Sequence, residues 1–209
     1  MYSLILIIFL SYSAGSIPTS IIISKIFFGF DIRTKGSGNA GGTNAFRVLG
    51  WKVGIIVMLV DIAKGILATY TISQLRIDDL PWDQIYIQML AGTFAIVGHI
   101  WTVFAGFRGG KGVGAATGML IVLYPSAVLI CLVVFLIVLI TTRYVSLSSL
   151  SAAVTLPLAL IFLNVTFDST LSPPLLILAV CVSILIIYTH RSNIQRLING
   201  NENRIKKIF

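Results

Sequence analysis

Apolar residues run along the chain in blocks of roughly 20, the length that crosses about 30 Å of hydrocarbon, and not in the spaced stripe of a half-buried helix. The pattern predicts seven transmembrane helices, at about residues 3–27, 52–74, 85–105, 113–124, 126–142, 146–164 and 173–190. The division at Pro125 is the least marked, since 113–142 also reads as one long kinked helix, but 30 residues exceed what a single crossing needs. Composition agrees with the pattern: 57% of the 209 residues are hydrophobic and only 11% charged, far below the roughly 25% charged of a soluble domain. This is an all-α integral membrane protein, and residues 1–209 read as a single polytopic domain with no internal repeat of fixed period.

Charge then orients the spans. The net charge of +8 does not indicate nucleic acid, because the cations are scattered between apolar blocks and form no basic patch. With Pro125 dividing two helices, all but Arg76 and Lys64 of the 15 Lys and Arg fall on one side: Lys25 to Lys52, the Arg108 and Lys111 loop, Arg143, and the tail from Arg191 to Lys207. The other side receives Arg76 with Asp78, Asp79 and Asp83, the Pro125 turn, and Asp168. The positive-inside rule therefore predicts the N-terminus outside, the C-terminus inside and the glycine-rich loops in the cytoplasm. The first block lacks a basic leader and an A-x-A site, so it is expected to be a retained span. Cys131 and Cys181 lie singly in apolar runs, with no metal or disulfide spacing.

Two loops carry unusual chemistry. Lys35-Gly-Ser-Gly-Asn-Ala-Gly-Gly-Thr-Asn-Ala-Phe-Arg47 sets four glycines, small polar side chains and two cations within 13 residues. Glycines bring backbone N–H groups close to an anion, Ser37, Asn39, Thr43 and Asn44 add donors, and Arg47 supplies a bidentate fork. The plainer alternative, a topology loop, needs neither the amides nor the glycines. Gly106-Phe-Arg-Gly-Gly-Lys-Gly-Val-Gly114 places Lys111 among Gly109, Gly110 and Gly112. It is no Walker A loop, because glycine follows the lysine and no strand precedes it. A phosphate cradle with Lys111 as a point charge, aided by the next helix N-terminus, remains, beside the alternative of a tight re-entrant turn.

Further polar clusters are Arg143-Tyr-Val-Ser146-Leu-Ser148-Ser149 and His190-Arg191-Ser-Asn193 with Glu202 beyond. Ser146 and Ser149 share a helix face, so they either aim at one bound group or serve helix packing. His190 fits an interface, an anion ligand or a proton carrier. Asp61 and Lys64 stand three apart within a span, where ionisable groups turn toward partners; they form an ion pair that braces the loops, or act directly.

Ser37-Gly38-Asn39-x-Gly41-x-Thr43-Asn44-x-x-Arg47, Gly98-His99 with Phe107-Arg-Gly-Gly-Lys-Gly-Val113, Arg143-x-x-Ser146-x-x-Ser149 and His190-Arg191-x-Asn193, in this order, resemble the bacterial PlsY family of acyl-phosphate:glycerol-3-phosphate acyltransferases. The likeness runs nearly end to end, through Asp61-x-x-Lys64-Gly65 and Gly200-x-Glu202. It implies a seven-span inner-membrane enzyme with a cytoplasm-facing site that moves a fatty acyl group from acyl-phosphate to the 1-hydroxyl of sn-glycerol 3-phosphate, giving lysophosphatidic acid and phosphate. Carried over on matching positions, Ser37, Arg47, Lys111, His190 and Asn193 are the catalytic set, Gly38, Asn39, Gly41, Thr43, Asn44, Gly109, Gly110, Gly112, Ser146 and Ser149 bind substrate, and Asp61, Lys64, Arg143 and Glu202 support them. Gly42 stands where alanine is usual, Ala115 where a threonine is expected, and Ser148 where glycine is common.

Two phosphate-bearing substrates explain two cationic loops. A His-x-x-x-x-Asp dyad is absent: Phe104 follows His99 and Gln195 follows His190 at that spacing. Rate is then expected to come from positioning and from stabilising phosphate charge, with His190 or a substrate phosphate taking the proton. No cofactor or metal is expected, and the partners are the two substrates and the bilayer, with the protein a monomer. A transporter or channel for organic phosphate is the competing class, but it should carry polar groups through the midplane, and here they gather at one face. Cysteines placed near Asp79 and Asp168 should accept an impermeant label from outside sealed cells, and cysteines near Ser37 or Gly110 should not; external labelling of both glycine-rich loops would overturn the topology.

Overall fold

In a computed structural model of the protein, residues 1–167 and 172–205 are described, and their regular structure is entirely helical. Asp168, Lys206 and Lys207, which enter the charge count, lie outside the described residues. The first predicted span is two helices, α1 (Tyr2–Ser16) and α2 (Thr19–Phe28). Pro18 disfavours helical backbone at the residue before it, and Ile17 is extended at φ −60°, ψ 111°. Then come α3 (Gly42–Leu49), α4 (Trp51–Ile66), which continues through a π turn and a 3-10 turn to Gln74, and α5 (Gln84–Ile100), α6 (Val113–Leu123), α7 (Pro125–Thr142), α8 (Val145–Phe167), α9 (Pro173–Thr189) and α10 (Arg191–Ile198). The expected break before Pro125 is present: Tyr124 leaves helical geometry at φ −151°, ψ 69°, and Pro125 opens α7, where its missing N–H costs nothing.

Among the described residues, five stretches are long and apolar enough to cross a membrane: Tyr2–Phe28, Trp51–Gln74, Gln84–Ala105, Pro125–Thr142 and Val145–Thr166. Pro173–Thr189 with Arg191–Ile198, bent by 59°, makes a sixth if counted as one span. The expected span at 113–124 is an 11-residue helix, about 16 Å long against about 30 Å of hydrocarbon. The glycine-rich turn and Tyr124 cut it short at its two ends.

The described residues fall into two compact units, which divide between Leu123 and Tyr124. In the first, α1 packs on α5, and α4 on both α3 and α6. Small residues permit these approaches. A Cβ on Gly118 would sit 2.0 Å from the Ile62 carbonyl oxygen and one on Gly114 2.7 Å from Asp61 Cβ, so the Gly114-x-x-x-Gly118 face of α6 lies directly on the α4 backbone. The start of α1 is held by Asp78, whose carboxylate accepts from the Tyr2 and Ser3 amides, donors that a helix N-terminus cannot satisfy internally. Ile21, Ile32, Ala40, Ala45 and Val57 form a buried cluster that anchors the first glycine-rich loop by two of its own apolar residues.

In the second unit α7, α8 and α9 pack in sequence, and α10 lies on α8 and α9. Pro157 sits inside α8, where its ring removes the donor that Ala153 O would otherwise receive. The Ser183 hydroxyl of α9 donates to that oxygen at 2.6 Å. A helix defect in one element is thus closed by a hydroxyl from the next, as a lipid-embedded bundle requires.

Gly118→Ala should push α6 off α4 and lower the thermal midpoint in detergent by on the order of 5 °C, an overpacking cost of about 1–3 kcal/mol. An unchanged midpoint would mean that the two backbones do not meet at this closeness.

Candidate active site

The first glycine-rich loop is built around Asn44. Its side chain is buried, its Oδ1 accepts the Ser37 amide at 2.9 Å, and its Nδ2 faces the Lys35, Asn39 and Ile32 carbonyls at 3.1, 3.0 and 3.3 Å. Gly36 is required beside it: the backbone there has φ +61°, and a Cβ would lie 2.3 Å from Asn44 Oδ1. Asn44 therefore pins the loop through an amide that meets backbone partners on both its oxygen and its nitrogen. The Ser20 hydroxyl adds a bond to Ala40 O at 2.7 Å, tying the loop to α2. Ser37, Gly38, Asn39, Gly41 and Thr43 ride on this frame, and Arg47 projects from the exposed face of α3. Gly42, in place of the usual alanine, abuts Met58, whose Cγ would be 2.3 Å from an added Cβ.

The second loop turns back on the end of α5. Gly109 N–H donates to Ile100 O and Gly110 N–H to His99 O, each at 3.0 Å. These two amides are thus engaged by the protein itself and hold the loop against the end of α5. Half-buried Lys111 follows this turn, and after it comes the first turn of α6, whose amides have no helical acceptor. Ala115, where a threonine is expected, is buried with its carbonyl under Gly65, and the Thr117 hydroxyl bonds back to Val113 O at 2.9 Å.

Arg33 joins the two loops, a role that its place among the loop cations does not reveal. Its guanidinium grips Asp31 through Nε at 3.0 Å and Nη2 at 2.8 Å, while Nη1 donates to Ala105 O at 2.7 Å and Arg108 O at 3.2 Å. The hydrogen bond from Arg33 lowers the Asp31 pKa to about 2. The Asp31-x-Arg33 spacing just past Gly29 was the available signal. Beneath the loops, Asp61 and Lys64 form the ion pair that their spacing allowed, at 2.9 Å and almost wholly buried, and Lys64 Nζ also donates to Ile17 O at 3.2 Å.

In the second unit Glu202 is the hub. Its carboxylate accepts from Ser146 Oγ at 3.0 Å, Asn193 Nδ2 at 2.8 Å and Arg196 Nε at 2.7 Å. Ser149 Oγ bonds back to Val145 O at 3.0 Å. Arg143 closes α7 in a left-handed conformation at φ 62°, and its carbonyl receives the Ile205 amide at 3.0 Å. His190, buried at the end of α9, has Nδ1 2.8 Å from Ile186 O. A carbonyl only accepts, so Nδ1 carries the proton, and Nε2 is the basic nitrogen of the neutral ring.

Both units together define a class: a polytopic α-helical membrane protein with two cationic, glycine-rich loops clamped to each other. Comparison with known proteins narrows it. Residues 5–200 match the family model for glycerol-3-phosphate acyltransferase. The glycerol-3-phosphate acyltransferases of Chlorobaculum tepidum and Chlorobium phaeobacteroides are 44% and 43% identical, over 98% and 99% of this chain and 97% and 98% of theirs. The crystal structure of PlsY, an integral membrane glycerol 3-phosphate acyltransferase, in its glycerol 3-phosphate form has TM-score 0.83 and 36% identity, covering 97% of this chain and 96% of that one. Its lysophosphatidic acid form has TM-score 0.80 and 34% identity, covering 97% and 95%. The chain belongs to the glycerol-3-phosphate acyltransferase family.

Burial pushes the Glu202 carboxyl up, but its bonds from Asn193, Arg196 and Ser146 outweigh this and hold it below its ordinary 4.5. A depressed folded value means that the clamp is fully present above about pH 4.5 and is lost as pH falls through the lower folded value. A spin label at Asn201 should gain mobility in that acid range. In Glu202→Gln it should be mobile at pH 7 and nearly flat with pH.

Proposed function

We propose that the protein transfers a fatty acyl group from acyl-phosphate to the 1-hydroxyl of sn-glycerol 3-phosphate, releasing lysophosphatidic acid and inorganic phosphate. The observation that carries this reading is the pair of glycine-rich cationic loops clamped by Arg33, in a chain of the glycerol-3-phosphate acyltransferase family. Two phosphate-bearing reactants call for two cationic cradles. The substrate hydroxyl oxygen attacks the acyl carbonyl carbon, the carbon–oxygen bond to phosphate breaks, and the phosphate leaves with the electron pair. The hydroxyl proton goes to a substrate phosphate or to Nε2 of His190. Acyl-phosphate is already activated, so the protein contributes position and charge stabilisation. Lys111 and the first turn of α6 hold the glycerol 3-phosphate group, and Ser37, Arg47 and the first loop hold the other phosphate. Asn193, Ser146 and Ser149 of the second unit are assigned to the same reaction, with Arg143 and Glu202 as their supports, while Asp61 and Lys64 support the loops of the first unit.

We further assign the whole chain to one acyltransferase of seven crossings in a bacterial inner membrane, acting as a monomer with the loops on the cytoplasmic side. The short α6 packs against α4 and α5, and protein contacts on these sides are what a short crossing needs. The charge alternation on which this orientation rests needs that crossing.

Detergent-purified protein should form lysophosphatidic acid from acyl-phosphate without acyl-CoA or acyl carrier protein; equal or faster turnover with acyl-CoA would overturn the donor, and no product at all the reaction. Lys111→Ala should weaken use of glycerol 3-phosphate by roughly 10- to 200-fold, the loss of one charge-assisted contact of about 1.5–3 kcal/mol. Wild-type kinetics in that variant would remove Lys111 from the site.

A further inference from the structure

His99 stands at the join between the buried charges and the Lys111 loop. It belongs to α5 and is 6% exposed. On one side its Nδ1 faces Asp61 Oδ1 at 3.5 Å, with no hydrogen-bond partner of normal length, an electrostatic contact more than a formed bond. On the other side its Nε2 edge presses on Gly110: a Cβ there would fall 2.0 Å from Nε2 and 2.8 Å from Cε1. The His99 carbonyl takes the Gly110 amide, and a Cβ on Gly109 would meet that same carbonyl oxygen at 2.0 Å. Gly110 is not among the residues with positive φ, so backbone conformation does not demand a glycine. The imidazole does.

The contacts form a continuous line: Ile17 carbonyl, Lys64, Asp61, His99, Gly110 and, one residue on, Lys111. We infer that His99 is a positioning residue for the Lys111 cradle: Asp61 and Lys64 fix the imidazole, and the imidazole sets where Gly110 and hence the Lys111 ammonium lie. The inference rests on the proposed role of Lys111 as a glycerol 3-phosphate ligand. His99 itself touches no substrate in this account. A cradle out of place by about 1 Å costs up to about 100-fold in the step it serves.

The test is a double-mutant cycle read in steady-state kinetics. His99→Asn keeps a polar atom toward Asp61 and removes the ring edge against Gly110. It should raise KM for glycerol 3-phosphate by roughly 10- to 100-fold with kcat within about 3-fold. Gly110→Ala should do comparable damage alone, and add less than about 3-fold in the His99→Asn background, because the clashing atom is gone. Equal damage from Gly110→Ala in both backgrounds would overturn the inference, since glycine would then serve the ligand. A His99→Asn that lowers kcat at unchanged KM, or that never accumulates folded, would also overturn it by making His99 a fold determinant. Lys111→Ala separates the two levels: wild-type kinetics there sink the site reading and this inference together. A KM defect there with an additive cycle sinks only the role of His99.

Discussion

A lysine and an aspartate that meet at 2.9 Å inside the first unit constrain nearly everything built around them. Each charge alone costs several kcal/mol to remove from water, and loss of one partner strands the other at roughly 3–5 kcal/mol. The contacts of the pair show what it organises. Lys64 reaches the Ile17 carbonyl at the break between α1 and α2, Asp61 lies under Gly114 of α6, and His99 brings α5 to the same carboxylate. Four elements are thereby indexed to one point. The broken first span is what allows α2 to carry Ser20 to the first loop, so that loop too depends on the pair.

At several points among the described residues, polar side chains hold backbone in shape. Asn44 organises one loop, Arg33 fastens it to the next, and Glu202 gathers the tail onto α8 and α10. Such frames give an electrostatic catalyst its advantage, because donors that need no rearrangement stabilise developing charge more than mobile ones. Acyl-phosphate chemistry under this proposal requires no protein nucleophile, and the architecture is consistent with that: stiffness is built in where a covalent mechanism would need a reactive side chain.

The helices were legible because apolar runs of membrane length leave little choice, and even the break at Pro125 followed from proline chemistry and charge alternation. The short α6 was less so, since its length is set by a glycine turn and a tyrosine whose backbone geometry no hydropathy window registers. Within the site, residue types draw attention to two loops but do not show what holds them in shape. Asn44 and Gly110 look like ligand residues in a motif, yet the side chain of one is surrounded by its own loop and the other lies against a histidine eleven positions earlier. Arg33 and His99 went unassigned because their significance lies in partners distant along the chain, Arg33 with Ala105 and His99 with Asp61. A linear pattern records the presence of a donor; it does not record which acceptor reaches it first.

The bond from Ser183 to Ala153, across from Pro157, has an evolutionary reading. If Pro157 is replaced first, the new residue's own amide can satisfy Ala153, and Ser183 keeps its second bond, to Ala179 O at 2.8 Å; nothing buried is stranded. If Ser183 is lost first, a carbonyl is left without its donor inside the bundle, and the lineage carries that cost until the proline also changes. The same two replacements thus form a passable route in one order and an obstructed one in the other. Descendants of such a chain should have kept the serine for as long as they kept the proline.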